Sequence, residues 1–258
     1  SGVAWLLKNQ RNLIDAEFAL NEGGGVGLRN GKPVRVLVAT AEKVTVNFRL
    51  EVLDKGGHSA VPRPGNAIEI LAAGLQRLSH FSFPARLVEV NHSFFEQAAE
   101  LEAPRTAADI RAVLSGAADP AAWARVSASP GINARLRTTC TPTLLEGGHA
   151  ANALPQMARA TINCRIMPGE SIGDVRSGLI GALADERITV SSPGDPLNTA
   201  PSVLTKSILT AIEATANEFW PGAPVIPSMT PGSTDSRLLR DAGIPAFGHS
   251  GLAAADSR

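Results

Sequence analysis

Alternating apolar and polar positions mark two segments of the chain. Residues 44–52 place Val44, Val46, Phe48, Leu50 and Val52 between polar side chains, and residues 158–167 repeat the same period of two. Because successive side chains of a strand point to opposite faces, both segments are predicted to be strands with one buried and one solvated face. Further strands are predicted over residues 132–145 and 187–191.

Two helices are predicted between these strands. Asn66 and Glu69 have the spacing of a capping box, and Ser171 with Asp174 marks a second helix start. The apolar face of the first helix is predicted to comprise Ile68, Leu71, Ala72, Leu75 and Leu78. The resulting order β-α-β-β-α-β is typical of a ferredoxin-like α+β domain, in which one four-stranded antiparallel sheet carries two helices on one face.

Segments of another kind flank this unit. Helices that alternate with short apolar strands before residue 44 and after residue 196 indicate an α/β layer. We therefore predict a larger α/β domain, formed by residues 1–44 and 196–258, into which a smaller domain of residues 45–195 is inserted. The polar, alanine-rich residues 80–130 are predicted to form short helices and loops, as an insertion between the first helix and the next strand.

Composition excludes some classes of partner. Lys plus Arg equals Asp plus Glu, 24 each, and no basic run is visible, which argues against nucleic acid or an anionic membrane as the main partner. No apolar stretch approaches the roughly 18–20 residues of a membrane span. The two cysteines cannot form a disulfide framework and are predicted to be buried reduced thiols. The compartment, cytoplasmic or exported, is left open.

Two positions suit a reaction centre. Asn21-Glu22 follows a short apolar strand and precedes three glycines. Ligands gather at strand ends in α/β sheets, so this acid is a candidate metal ligand, although an ordinary flexible turn is an alternative. His58 lies just past a strand end, between glycines and Val61-Pro62. It could polarise a carbonyl or stabilise an oxyanion, although a loop histidine without a task is also possible.

Three further residues suit substrate binding. Arg165 lies on the polar face of its strand and could clamp a carboxylate, although a solvated arginine is the alternative. Asn152 offers an amide in a glycine-rich turn before Pro155. Thr234-Asp235 follows Pro231-Gly232-Ser233 and could line the same pocket or simply cap a helix.

Taken together, these motifs resemble a known family. The chain is similar to the carboxypeptidase S and N-acyl amino acid hydrolase branch of the di-zinc aminoacylase/carboxypeptidase metallopeptidases. The resemblance extends from residue 1 to residue 258 and rests on the order and spacing of six motifs. They are Phe18-Ala19-Leu20-Asn21-Glu22-Gly23-Gly24, Ala41-Glu42-Lys43, Gly57-His58-Ser59-Ala60-Val61-Pro62, Asn152-Ala153-Leu154-Pro155, Cys164-Arg165-Ile166-Met167-Pro168-Gly169 and Thr234-Asp235-Ser236-Arg237.

The resemblance implies a zinc-exopeptidase-like catalytic domain with two zinc ions and an inserted lid that often dimerises. It implies that His58 reaches the scissile carbonyl, commonly in the partner subunit of a homodimer. Asn152 and Arg165 would bind the carboxylate side of the substrate, and Thr234 would line the pocket floor. Glu22 or Asn21 would bind one zinc. The implied reaction is hydrolysis of amide bonds in small peptides or N-acyl amino acids by a metal-activated water.

The sequence departs from the family pattern at several points. The branch usually has Asp where this chain has Asn21, and an amide is a poorer zinc ligand than a carboxylate. The chain also contains no His-x-Asp and no Glu-Glu pair. By the resemblance these ligands, the bridging Asp and the last zinc-binding His would lie outside Ser1–Arg258. We therefore expect an internal segment of a longer enzyme that is inactive alone. The rival hypothesis is a non-catalytic dimerisation or ligand-binding module without metals.

Overall fold

The structure is a computed structural model that describes residues 1–116, 119–192, 194 and 200–255. The chain divides into two compact units. The larger unit comprises Ser1–Lys43, Ala85–Arg137 and Leu197–Arg258, and the smaller comprises Val44–Pro84 and Thr138–Pro196. Among the described helices, none has the length and apolar character needed to cross a membrane.

Both units contain strands and helices. The strands are β1 (Ala19–Asn21), β2 (Gly25–Arg29), β3 (Lys32–Glu42), β4 (Val44–Leu53), β5 (Gly57–His58), β6 (Thr139–Gly147), β7 (Ala153–Leu154), β8 (Met157–Ile166), β9 (Thr189–Ser191), β10 (Val225–Thr230), β11 (Ala246–Gly248) and β12 (Ala253–Ala255). The helices are α1 (Gly2–Asn9), α2 (Ala67–Ser79), α3 (Glu89–Leu101), α4 (Pro104–Leu114), α5 (Pro120–Val126), α6 (Pro130–Leu136), α7 (Ile172–Leu183), α8 (Lys206–Phe219) and α9 (Ser236–Asp241), with a 3₁₀ turn at Arg11–Leu13.

The larger unit is built on a mixed six-stranded sheet. Its order is β1-β11-β3-β2-β12, and β10 also pairs with β3. The pairs β1/β11 and β3/β10 are parallel, whereas β2 and β3 are antiparallel. One buried apolar cluster joins β3, α8 and β11 through Val38, Ile212 and Phe247. The predicted α/β character of this unit is confirmed, and β2 and β12 are strands that the sequence patterns did not indicate.

The helical segment α3–α6 packs in the larger unit. Phe95 and Ile110 are fully buried in a cluster that also contains Leu136 and Ile226 of β10. Through these apolar side chains α3 packs against β10, and α4 packs against α3 and α5. The sequence predicts this segment as part of residues 45–195, whereas the structure assigns Ala85–Arg137 to the larger unit. The predicted exit from that domain, residues 193 and 195–196, lies outside the described residues.

The smaller unit has the predicted ferredoxin-like arrangement. Its four strands follow the order β6-β8-β4-β9, and every neighbouring pair is antiparallel. The β4/β8 ladder runs from Val44 opposite Ile166 to Leu53 opposite Met157. Helices α2 and α7 bury Leu71 and Leu179 against one face of this sheet. The opposite face therefore carries the alternating polar side chains of β4 and β8.

Two local predictions differ from the structure. Residues 130–136 form helix α6, so the predicted strand at 132–145 begins only at Thr139. Pro130 at the first helical turn favours a helix start, and Ile132 lies one turn before buried Leu136. The capping box of Asn66 and Glu69 is present, but Ile68 is 45% exposed. The buried face of α2 is rotated and consists of Ala67, Ile70, Leu71, Gly74 and Leu78.

The two cysteines form a disulfide bond, so the prediction of reduced thiols is wrong. Cys140 on β6 and Cys164 on β8 are directly opposite in the antiparallel ladder, with a Cα–Cα distance of 4.0 Å. Directly opposed side chains of neighbouring strands meet on the same face. The sequence separation of 24 residues gave no sign of this pairing, because it depends on the register between the two strands.

We expect removal of this disulfide to destabilise the smaller unit by about 3–4 kcal/mol, since the cross-link closes a loop of about 25 residues in the unfolded chain. Hydrogen exchange of the β8 amides in urea, with and without reductant, measures the loss. Tryptophan fluorescence provides an internal control, because all three tryptophans lie in the larger unit. A Cys140→Ala/Cys164→Ala variant should not respond to reductant. Equal protection of the oxidised and reduced chains would contradict the prediction.

The outer strand β6 is irregular. Its register against β8 shifts between Pro142 and Leu144, so Thr143 bulges from the ladder. Leu144 and Leu145 are 62% and 69% exposed. β6 is therefore an edge strand with apolar side chains in its second half.

Candidate functional site

In the larger unit, the predicted metal-ligand segment lies where two parallel strands end. Asn21 is opposite Gly248 at the ends of β1 and β11, and the backbone N–H of His249 donates to the Asn21 carbonyl over 3.0 Å. The Asn21 side-chain amide donates to Ser236 Oγ over 3.0 Å. The Glu22 side chain is exposed directly after the strand. This is the sheet edge at which α/β folds collect ligands.

The glycines after Glu22 are required by close backbone approach. Gly24 has a φ of +62°, and a Cβ at this position would collide with the carbonyl oxygens of Leu37 and Gly248. A residue with a side chain would be strained in this conformation and would also lack space. The Gly23-Gly24-Gly25 run therefore lets the chain pass tightly over the middle of β3 and the end of β11.

Thr234 is held beside the same strand ends by a buried carboxylate. Its backbone N–H and its hydroxyl both donate to Glu42 Oε2, at 2.8 and 2.7 Å. The Thr234 hydroxyl oxygen also accepts from the backbone N–H of Ser236 over 3.1 Å. Since Ser236 contacts Asn21, the structure brings together Asn21 and Thr234, two residues 213 positions apart that the sequence had singled out.

Glu42 is in turn paired with a buried arginine. Its Oε1 lies 2.8 Å from Arg240 Nη2, and the two side chains are only 4% and 5% exposed. Burial lowers the pKa of Arg240, and the nearby Glu42 charge opposes that shift. Neither residue was proposed for the site from sequence. The available signal was a charged residue at the end of an otherwise apolar strand, in the Ala41-Glu42-Lys43 motif.

In the smaller unit, the structure brings His58 and Asn152 together. Strand β5 pairs with β7 so that His58 is opposite Ala153. The backbone N–H of Ser59 donates to the Asn152 carbonyl over 3.0 Å. Both side chains are exposed. The two motifs, almost a hundred residues apart in sequence, therefore form one small hairpin-like surface.

The environment of His58 selects one tautomer. The backbone N–H of Ala60 donates to His58 Nδ1 over 3.1 Å. In a neutral imidazole one ring nitrogen accepts and the other carries the proton. Because Nδ1 accepts, the proton lies on Nε2, which leaves this N–H as a donor for an external group.

Arg165 lies at the other end of the same sheet. It is opposite Thr45 in the β4/β8 ladder, whereas the His58–Asn152 surface follows Leu53 and precedes Met157. The eight residue-to-residue steps from Met157 to Arg165 span roughly 26 Å of strand. Within this unit the structure does not bring Arg165 near His58.

A family profile described as the peptidase dimerisation domain of M20 proteins matches residues 40–188, more than half of the chain. The chain belongs to the M20 peptidase family. The matched segment includes β4, β8 and both helices of the ferredoxin-like unit. The predicted resemblance to carboxypeptidase S and N-acyl amino acid hydrolases is therefore confirmed at the level of the family.

Individual M20 relatives match most of this chain but less than half of their own length. A probable carboxypeptidase S-like protein of Dictyostelium discoideum is 29% identical over 229 residues, which cover 86% of the chain and 43% of that protein. An N-fatty-acyl-amino acid synthase/hydrolase of Xenopus tropicalis is 30% identical over 238 residues, which cover 89% of the chain and 46% of that protein.

Solved structures show the same fold. Human carnosine dipeptidase 1 superimposes with a TM-score of 0.59 and 13% identity over 96% of this chain and 56% of that one. An M20 family metallo-carboxypeptidase of Sulfolobus solfataricus gives 0.58 and 18% identity over 96% and 59%. At these identities the likeness shows fold alone. It confirms the predicted combination of a partial zinc-exopeptidase-like α/β domain with a ferredoxin-like insertion.

The M20 fold implies a metal, but the described side chains do not form a complete site for one. In the described part of the chain, no group of three or more His, Cys, Asp or Glu side chains is placed to hold a metal ion. Zinc sites in proteins take three or four protein ligands. Glu22 offers one carboxylate, and Asn21 can add no more than its amide oxygen, since its amide nitrogen donates to Ser236. These residues alone therefore do not fit a zinc ion.

Proposed function

We propose that this chain is part of a zinc-dependent hydrolase that cleaves the amide bond of small peptides or N-acyl amino acids. Membership of the M20 family supports hydrolysis of a peptide or amide bond. Two relatives, a probable carboxypeptidase S-like protein and an N-fatty-acyl-amino acid synthase/hydrolase, support substrates of these two kinds. In this proposal Glu22, with or without Asn21, contributes to the binding of one of two zinc ions.

The observation that carries the proposal is the tautomer of His58. With Nδ1 occupied by the Ala60 N–H, Nε2–H is a donor on an exposed side chain. Such a donor can stabilise the negative charge that develops on a carbonyl oxygen during attack. We assign His58 this catalytic role, as the donor to the oxyanion.

Three residues are proposed to bind the substrate. Arg165 offers a planar guanidinium that can pair bidentately with the free carboxylate of a peptide or N-acyl amino acid. Asn152 offers its side-chain amide beside His58, and Thr234, held by Glu42, lines the pocket floor. The distance between the two ends of β8 supports a homodimer through the smaller unit, in which His58 and Asn152 serve the site of the partner subunit.

A second function is favoured by a different observation. Since the described residues hold no complete group of metal ligands, the chain could act as a dimerisation or ligand-binding module that keeps the pocket without metals. This alternative predicts carboxylate binding without turnover. The two proposals therefore differ in whether the longer protein retains zinc.

Zinc analysis of the longer protein that contains this chain tests the choice. We expect about two zinc ions per subunit and chelator-sensitive hydrolysis of N-acyl amino acids or dipeptides. We expect the 258-residue chain alone, with zinc added, to show no turnover above blank, because its described residues hold no complete group of metal ligands. If the longer protein contains no zinc but still binds carboxylates, the dimerisation or ligand-binding module is favoured instead. Robust hydrolysis by the 258-residue chain would overturn the expectation that it is inactive.

A further inference from the structure

Three arginines lie on the open face of the four-stranded sheet β6-β8-β4-β9, and they differ in their partners. Arg159 and Arg49 both contact the carboxylate of Glu51, the latter at 3.1 Å. The Arg159 hydrogen bond is the main cause that lowers the pKa of Glu51. In the described residues Arg165 has no carboxylate partner. On this face it is therefore the arginine whose charge is left for an external anion.

Arg165 is nevertheless held in place by neutral groups. Its Nη1 donates to Thr45 Oγ1 over 2.6 Å, and its Nε donates to Asn163 Oδ1 over 3.1 Å. A guanidinium has five N–H donors, so these two bonds leave three free. Both partners are uncharged, so they fix the orientation of the guanidinium without neutralising it.

The side-chain amide of Asn163 is itself held in one orientation by the side-chain amide of Asn47. Asn163 Nδ2 donates to Asn47 Oδ1 over 2.7 Å, and these two residues are directly opposite on β8 and β4. An asparagine amide can present either its oxygen or its nitrogen to a neighbour. Because Asn47 accepts from the nitrogen, the oxygen of Asn163 is the atom that faces Arg165. The adjacent Cys164 is covalently tied to β6, which restrains the backbone between Asn163 and Arg165.

We propose that Thr45, Asn47 and Asn163 are positioning residues that pre-orient Arg165 to receive the carboxylate of the substrate. The assignment rests on the proposed role of Arg165 in the hydrolase. A side chain that is already oriented loses less conformational freedom on binding, so the network should act on substrate affinity. The chemistry recognised is a free carboxylate, and an amidated substrate would not use it.

Kinetics of the longer enzyme test the substrate-binding part. Asn163→Ala should raise KM about tenfold for substrates with a free carboxylate, the order expected for loss of a hydrogen bond to a charged group, with kcat within about twofold. KM for the same substrates with an amidated carboxylate should not change. Thr161→Ala, on the same strand and face, is the matched control. Adding Asn163→Ala to Arg165→Ala should have no further effect if Asn163 acts through Arg165.

A parallel fall of kcat for both substrate types, or full additivity with Arg165→Ala, would overturn the positioning role. A second measurement does not depend on activity. In the 258-residue chain, nitrogen NMR of the arginine side chains should show separate Nη1 and Nη2 signals for Arg165, because the network hinders rotation. Asn163→Ala should merge them and Thr161→Ala should not. Merged signals in the wild-type chain would reject the network, whereas resolved signals in an inactive longer protein would reject only the hydrolase.

Discussion

Glu42→Ala should destabilise the larger unit by about 3–5 kcal/mol, because it removes a buried carboxylate that lies 2.8 Å from the buried guanidinium of Arg240. Glu42 also accepts two hydrogen bonds from Thr234, so the turn that carries Thr234 should loosen at the same time. Urea unfolding followed by tryptophan fluorescence measures the stability of the larger unit, since Trp5, Trp123 and Trp220 all belong to it.

A paired replacement provides the control for this prediction. Glu42→Leu/Arg240→Met removes both charges and keeps much of the buried volume. Replacing both partners of a buried pair by apolar residues is often close to neutral, so the double variant should lose clearly less stability than Glu42→Ala. If Glu42→Ala costs less than about 1 kcal/mol, the pair is behaving like an exposed salt bridge and the argument from burial fails.

In the complete enzyme, His58→Ala and Arg165→Ala should fail in different ways. His58 is proposed to act on charge that develops in the transition state, so its loss should lower kcat by about 10²-fold or more. Arg165 is proposed to hold a carboxylate that is present throughout the reaction, so its loss should mainly raise KM. Some loss of kcat is also expected, because remote binding positions the reacting carbonyl. If His58→Ala has the kinetics of the wild-type enzyme, His58 has no catalytic role.

Mixing two inactive variants tests the proposed homodimer. If His58 serves the partner's site, His58→Ala mixed with a variant inactivated in the metal site should regain activity, because mixed dimers contain one intact site. This test is motivated by the positions of His58 and Arg165 near opposite ends of the four-stranded sheet. Subunit exchange is verified first with differently tagged chains. Absence of recovery despite proven exchange would reject action in the partner subunit.

The sequence predicted most reliably the elements whose signals are local. The alternation in β4 and β8 requires only that one face of a strand be buried, and the caps at Asn66 and Ser171 satisfy backbone groups within a few residues. These elements suffice to indicate a ferredoxin-like fold. The site motifs at His58 and Asn152 were likewise visible, although their roles stay predictions.

Features that depend on distant contacts were missed. The disulfide requires the register that puts Cys140 opposite Cys164. The periodicity of the helices in residues 85–137 is compatible with packing on either unit. Their place in the larger unit is decided by the buried cluster that contains Phe95 and Ile226. Glu42 carries no sign of its partner, because Arg240 is almost two hundred residues away. In each case the deciding physical contact is formed only by the folded chain.

Pro142 has a consequence for how sheets from two chains could join. Cys140 and Cys164 are close, with Cα atoms 4.0 Å apart, as in a non-hydrogen-bonded pair, and Pro142 lies two residues further along β6. Its nitrogen therefore points away from β8, where it offers no donor to an incoming strand. The bulge after it interrupts the outer edge again. A strand added to β6 could pair continuously only over the last few residues, which makes sheet extension self-limiting and guards the monomer against open-ended aggregation.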